Sequence, residues 1–144
     1  MAALGEMWKG GGRGYKSIVF VTLGTGVGSG VIINRQMVYG AKGLAGEIGH
    51  IMINPNETER CNCGGMGCLD QMASARGIVR CAKKFLEEDF RPSLLRDMGE
   101  LTARKILDAA KRGDETASRT VSHCMFYLGK CLAEVSYIVD PRPL

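Results

Sequence analysis

Apolar positions along this chain change their period part-way through. From Ser17 to Asn54 they come in short blocks. Ile18-Val19-Phe20-Val21-Thr22 reads as a buried strand and Val27 to Ile33 as a second. Asn34-Arg35-Gln36 reads as a turn, Met37-Val38-Tyr39 as a short third strand, and Ile51-Met52-Ile53 as another before Pro55. From Cys68 onward the apolar residues follow helical spacing. Leu69, Met72, Ile78, Val79, Ala82, Phe85 and Leu86 lie on one side of a helix predicted from Cys68 to Glu87. Thr102 is suited to cap a helix running to Arg112, with Gly113 as its stop. Ala117, Val121, Met125, Leu128, Leu132, Val135 and Val139 trace a last helix. Ahead of the strands, Ala2 to Trp8 reads as the tail of a helix that ends in a flexible turn, Lys9 to Gly14. Strands followed by helices, without an internal repeat, predict an α/β fold in which a mixed sheet is packed by helices.

Composition narrows the class. A chain of 144 residues has room for one domain with a real core. Hydrophobic content of 45% and charged content of 24% are those of an ordinary soluble protein. The net charge of +4 comes from dispersed basic residues, so nothing points to nucleic acid. No apolar run approaches the roughly 20 residues of a membrane span, and no secretory pattern opens the chain. Six cysteines raise the question of disulfides. Cys81, Cys124 and Cys131, however, fall in helical apolar patterns and read as small buried residues, which fits a reducing, cytoplasmic setting.

The other three thiols are packed into Cys61-Asn-Cys63-Gly-Gly-Met-Gly67-Cys68, eleven residues after His50. Thiolate and imidazole are what Zn²⁺ prefers, and four of them close a tetrahedral structural site. The spacing is not that of a zinc finger or ribbon. Glu47 precedes this segment and Asp70 follows it, so two acids are tied to the same knot; each alone reads as a solvated or helix-start carboxylate. A second motif is Gly24-Thr25-Gly26-Val27-Gly28-Ser29-Gly30. It lacks the lysine of a Walker loop, and a strand rather than a helix follows it, so it is not a dinucleotide fingerprint. Its amides can face an anion without Cβ obstruction, with Thr25 and Ser29 adding hydroxyls; the bland alternative is a bulged hairpin needing positive φ. His123 has no nearby partner set and reads as surface or packing.

Together these motifs resemble the ROK family of repressors and sugar kinases, most of all its bacterial glucokinases, over a stretch from Ala2 to about Asp140. Gly24 to Gly30 is similar to the family's second phosphate loop, Gly43-Leu-Ala-Gly46-Glu47-Ile-Gly-His50 to its sugar motif, and Cys61 to Cys68 to its zinc motif. The resemblance implies an RNase H-like, actin-type ATPase lobe. In it, residues 17–54 form the strand-rich part, 55–68 the zinc loop and 69–140 the helical part. It implies a structural Zn²⁺ on His50, Cys61, Cys63 and Cys68. It implies a hexose such as glucose contacted by Glu47, His50 and Asp70. Gly24, Thr25, Gly26, Gly28 and Gly30 are then expected on the phosphates of Mg-ATP. Self-association into a dimer or tetramer is implied as well.

Asp70 departs from the pattern: the family carries Glu two residues after the third cysteine, so the carboxylate here is drawn back by one methylene. The family's first lobe, with its first phosphate loop and the Asn-Asp pair whose Asp is the general base, is expected ahead of Met1. A strand and a glycine pair near adenosine are expected after Leu144. The chain is therefore expected to be a piece of an ATP-dependent glucokinase with little or no activity alone. Two alternatives remain: the sugar-sensing piece of a ROK transcriptional repressor, and a non-catalytic, zinc-stabilised dimerisation domain.

Overall fold

The computed structural model describes residues 2–140; Met1 and residues 141–144 lie outside it, as does the expected continuation past Asp140. A helix, α1 (Ala2–Lys9), precedes a meander of β1 (Ile18–Leu23), β2 (Val27–Ile33) and β3 (Gln36–Met37). Every strand pair among the described residues is antiparallel, in the order β1-β2-β3. Tight connections leave no other choice, because parallel neighbours need a long crossover. The β2–β3 turn is two residues long. Asn34 and Arg35 take φ of 51° and 65°, the paired positive values of a hairpin turn that matches strand twist, and Gln36 joins β3.

The helical layer follows as α2 (Leu69–Ala73), α3 (Ala75–Glu88), α4 (Ala103–Lys111) and α5 (Glu115–Val139). The single helix expected from Cys68 to Glu87 is split at Ser74. The Ser74 hydroxyl accepts from the Gly77 amide at 3.0 Å and donates to the Asp70 carbonyl at 2.6 Å, so the side chain caps a new helix and breaks the old one. Thr102 caps α4 as expected, accepting from the Lys105 amide at 3.2 Å. Asp114, unremarked in the sequence, caps α5 through the Ala117 amide at 2.8 Å and also holds the Leu94 amide at 2.6 Å.

Ile51–Ile53 is not a strand of the sheet. It pairs instead with the cysteine loop: Ile53 donates to the Gly67 carbonyl at 2.7 Å, and Leu69 donates to the Ile51 carbonyl at 3.0 Å. A single bridge, Met52 to Cys68, is all the ladder this makes, because α2 begins immediately after Cys68.

Two cores flank the sheet. On one face Ala3 and Met7 of α1 pack with Ile32, Ile18 and Phe20. On the other, Val19, Val21 and Val27 meet the main cluster, in which Leu69, Ala82, Ile106, Ala109, Ala117, Cys124 and Cys131 are fully enclosed. No helix among the described residues is long and apolar enough to cross a membrane.

Candidate functional site

The cysteine loop is folded by its own backbone before any metal is considered. Cys61 donates to the Gly65 carbonyl at 2.7 Å and Gly64 to the Cys61 carbonyl at 2.8 Å. Gly67 has φ of +72°, and a Cβ there would lie 2.0 Å from the Asn54 carbonyl oxygen, so only glycine fits. Gln71 closes the loop from α2: its side-chain carbonyl accepts from the Cys68 amide at 3.1 Å and its NH₂ donates to the Glu59 carbonyl at 3.0 Å. The stem is fastened to α3 by ion pairs. Arg80 reaches Glu57 at 2.6 Å and Glu59 at 2.9 Å, and Lys84 reaches them at 3.3 and 2.9 Å.

One donor atom from each of His50, Cys61, Cys63 and Cys68 falls within 4.8 Å of the others. Cys63 and Cys68 sulfurs are 3.5 Å apart, and Cys61 Sγ is 3.8 Å from His50 Nδ1. A tetrahedral ion with bonds near 2.3 Å asks for sulfur separations of about 3.8 Å. The set can therefore hold a soft divalent cation. The thiols as they stand are unequal: the Gly65 amide lowers the Cys63 thiol, while burial pushes the Cys68 thiol up to about 12. A coordinated cation deprotonates such a thiol outright.

The segment carrying Glu47 and His50 is anchored to β2 by Ser29. The Ser29 hydroxyl donates to the Gly46 carbonyl and accepts from the Ile48 amide at 3.2 Å. Ser29 thus serves as a strut, where the sequence suggested an anion donor. Gly49 sits so close to β2 that a Cβ would fall 2.4 Å from the Val27 carbonyl. Glu47 and His50 are both exposed, on either side of the buried pair Ile48 and Gly49.

The glycine motif divides in two. Gly24-Thr25-Gly26 is the turn between β1 and β2, while Gly28 and Gly30 lie inside β2, paired with Thr22 and Phe20. None of these glycines has positive φ, so the bulged-hairpin alternative does not apply. Gly26, Gly28 and Gly30 are glycines for room. A Cβ at Gly26 would meet the Asp70 carboxylate at 2.9 Å, and one at Gly30 would meet Ala3 of α1 at 2.9 Å. Gly30 is thereby a packing position beneath α1 and separates from the anion-facing group. In the turn, carbonyls are taken by α3: Gly24 accepts from the Ala75 amide at 2.8 Å and Thr25 from Arg76 Nε at 3.0 Å. Among the described residues the amides of Thr25 and Gly26 have no protein acceptor. Arg76 was not legible as a site residue; it lies fifty-one positions from its partner.

Asp70 joins the two motifs. One carboxylate oxygen accepts from the Val27 amide at 2.7 Å, and the other lies 4.0 Å from Arg76. Its partner is the glycine turn, not the Glu47 segment. Val27 is the meeting point: its amide is held by Asp70 and its carbonyl is covered by Gly49. His123, by contrast, packs edge-on against Phe85 and Tyr127 at ring distances of 5.2 and 5.1 Å, and burial lowers its pKa.

The ROK family profile matches residues 1–144. A glucokinase of Halalkalibacterium halodurans is 43% identical over the whole chain, which covers 44% of that protein. A xylose repressor of Caldicellulosiruptor bescii is 31% identical over 97% of the chain and 35% of its own length. A ROK glucokinase of Streptomyces griseus, solved in complex with glucose and AMPPNP, superposes with a TM-score of 0.84 at 34% identity, over 97% of this chain and 46% of that one. The actin-like ATPase fold is common to these kinases. The chain spans less than half the length of the relatives it matches.

Proposed function

The chain belongs to the ROK family, and from that premise we propose that it is the portion of an ATP-dependent glucokinase that carries the sugar, phosphate and zinc motifs. One observation supports this most: the glycine turn, the Glu47–His50 segment through Gly49, and Asp70 of α2, two residues past the cysteine loop, all meet at the first residue of β2, Val27. Phosphoryl transfer is chiefly positioning and charge stabilisation, and this junction fixes two binding elements against one another.

Each group has a defined task. His50, Cys61, Cys63 and Cys68 hold Zn²⁺, which supplies folding energy to the loop and takes no part in bond-making. With Nδ1 turned toward Cys61, the opposite edge of the exposed His50 ring presents Nε2 to a sugar hydroxyl. Glu47 accepts from a second hydroxyl of the hexose. The free amides of Thr25 and Gly26, within Gly24 to Gly26, donate to ATP phosphate oxygens, with Gly28 lending close approach. Asp70 lacks the reach of a glutamate; it fixes the turn through Val27 and is a positioning residue. Mg²⁺ accompanies the nucleotide. The general base comes from outside residues 1–144, so this stretch alone turns over little substrate. Self-association would use exposed apolar residues of α5, such as Phe126, Tyr137 and Ile138.

The similarity to repressors keeps a second reading, a sugar-sensing portion without nucleotide binding. Calorimetric titration of the chain with glucose and with Mg-ATP separates the two. The kinase reading expects both to bind, with Glu47→Gln abolishing the glucose signal only. Glucose binding without nucleotide binding favours the repressor. A coupled ADP-release assay on the chain, and on a version extended at both ends, tests the missing base; equal turnover would place the base within the chain.

A further inference from the structure

The backbone of Gly24-Thr25-Gly26 is almost fully spoken for, and α3 does much of the holding. Gly24 donates to the Gly26 carbonyl at 3.0 Å, closing the turn on itself. The Gly24 carbonyl accepts from the Ala75 amide at 2.8 Å, and the Thr25 carbonyl from Arg76 Nε at 3.0 Å. Among the described residues, only the Thr25 and Gly26 amides of this stretch have no protein acceptor. A trans peptide points its N–H opposite to its C=O. The Thr25 amide shares a peptide with the Gly24 carbonyl, and the Gly26 amide shares one with the Thr25 carbonyl. By gripping these two carbonyls, α3 turns both amides away from itself. The grips differ in kind. That of Ala75 is backbone on backbone. That of Arg76 is a side chain, and the peptide it holds is the one freest to turn over, because Gly26 follows Thr25 and glycine accepts either sign of φ. Flipped, this peptide would show a carbonyl where an N–H now stands and would repel an anion. No basic residue occurs in β1, the turn or β2 to offset that. Nor is Arg76 consumed elsewhere. Asp70 stands 4.0 Å away, the limit of an ion pair, whereas Arg80 is closed onto Glu57 and Glu59 at 2.6 and 2.9 Å.

We propose that Arg76 is the positioning residue of the phosphate-binding turn: it holds the Thr25–Gly26 peptide with its N–H outward, so that Gly26 donates to a phosphate oxygen of the nucleotide. This role rests on the kinase reading above. Arg76 itself touches no phosphate and acts through the peptide it holds. Its charge adds to the effect, because a cation on the carbonyl polarises the peptide and strengthens the N–H at the other end as a donor. The substitution of another residue for Arg76 thus alters where the turn's donors point and leaves the sugar segment alone.

The test is an NMR titration of the full, nitrogen-15-labelled, zinc-loaded chain with Mg-ATP, native and as Arg76→Ala, Arg76→Gln and Arg76→Lys. The side chain is 59% exposed, so the variants should keep the native fold. In Arg76→Ala the Mg-ATP affinity should fall several-fold, and the Gly26 amide should lose its shift on titration while Thr25, whose peptide Ala75 holds, keeps its own. Arg76→Gln should restore both, because glutamine carries its NH₂ as many bonds from the backbone as arginine carries Nε. Arg76→Lys keeps the charge but sets the donor one bond further out, and should restore less. An unchanged Gly26 response in Arg76→Ala overturns the proposal. So does restoration by lysine and not by glutamine, which would mean that the charge meets phosphate directly. The glutamine–lysine comparison decides the matter if Arg76→Ala does not fold. Spectra without nucleotide separate this role from the kinase reading. A flip of the peptide changes the cross-peak between Thr25 Hα and the Gly26 amide proton, so a changed cross-peak in Arg76→Ala supports the grip and an unchanged one counts against it. If neither amide of the native chain responds to Mg-ATP, the kinase reading falls and the phosphate role with it.

Discussion

Residues 40–70 and residues 75–139 sit side by side, yet different physics holds them. The first stretch has a single 3-10 turn at Ile48–His50 and almost no regular structure. Its order comes from loop hydrogen bonds, glycines at forced positions and an ion-pair cluster, and it brings together four side chains that could hold a metal. The second is three amphipathic helices around fully enclosed Ile106, Ala109, Ala117, Cys124 and Cys131. The Glu47–His50 segment and the cysteine loop lie in the polar stretch, and the helices pack beneath it. Burial alone does not order a segment that exposes Glu47 and His50, and polar contacts take its place.

Metal removal should produce the largest difference between the two regions. A structural zinc contributes on the order of 10 kcal/mol to the segment that binds it. Stripping it with a chelator should raise amide exchange across residues 50–68 while residues 103–139 stay protected; equal loss in both would show that the regions fold as one. Metal analysis should return one zinc per chain, and His50→Ala should lose it.

A core truncation should do the reverse. Ile106 is completely buried, so Ile106→Ala should cost about 3–4 kcal/mol and melt the helical layer, with zinc content preserved until the global transition.

The ion-pair stem gives the next effect. Hydrogen bonding from Arg80 holds the Glu57 carboxyl down to about 2, from an ordinary 4.5. A depressed carboxyl contributes stability above its unfolded value and loses it as pH falls through the folded one. Stability of the native chain should therefore drop between about pH 4.5 and pH 2 by roughly 2 kcal/mol, allowing for solvent screening of the partly exposed Arg80 and Lys84. Glu57→Gln should incur that loss already at neutral pH and flatten this part of the acid profile, as read by urea unfolding.

A comparable but more local effect lies at the seam. Asp70→Ala removes one charge-assisted bond to the Val27 amide, worth about 1.5–3 kcal/mol locally. Mg-ATP affinity should fall several-fold with glucose affinity nearly unchanged. An equal fall in both would return Asp70 to the sugar-contact role.

How much of this was legible follows from how local each cause is. β1 and β2 were readable because consecutive β-branched and aromatic residues have few other uses, and α4 and α5 because their apolar spacing matches 3.6 residues per turn. The metal donors were readable because three thiols within eight positions announce themselves by composition. Ser74 was misread for the opposite reason: a serine within a helical pattern is neutral until its hydroxyl finds both Gly77 and Asp70. The sequence by itself determined most of the elements, the family and the four candidate metal donors. Only the tertiary structure decided that Ile51–Ile53 pairs with the cysteine loop, that Gly30 makes room for Ala3, and that Asp70 reaches Val27, forty-three positions away. Those contacts depend on where whole elements come to rest, and chain spacing carries no record of that.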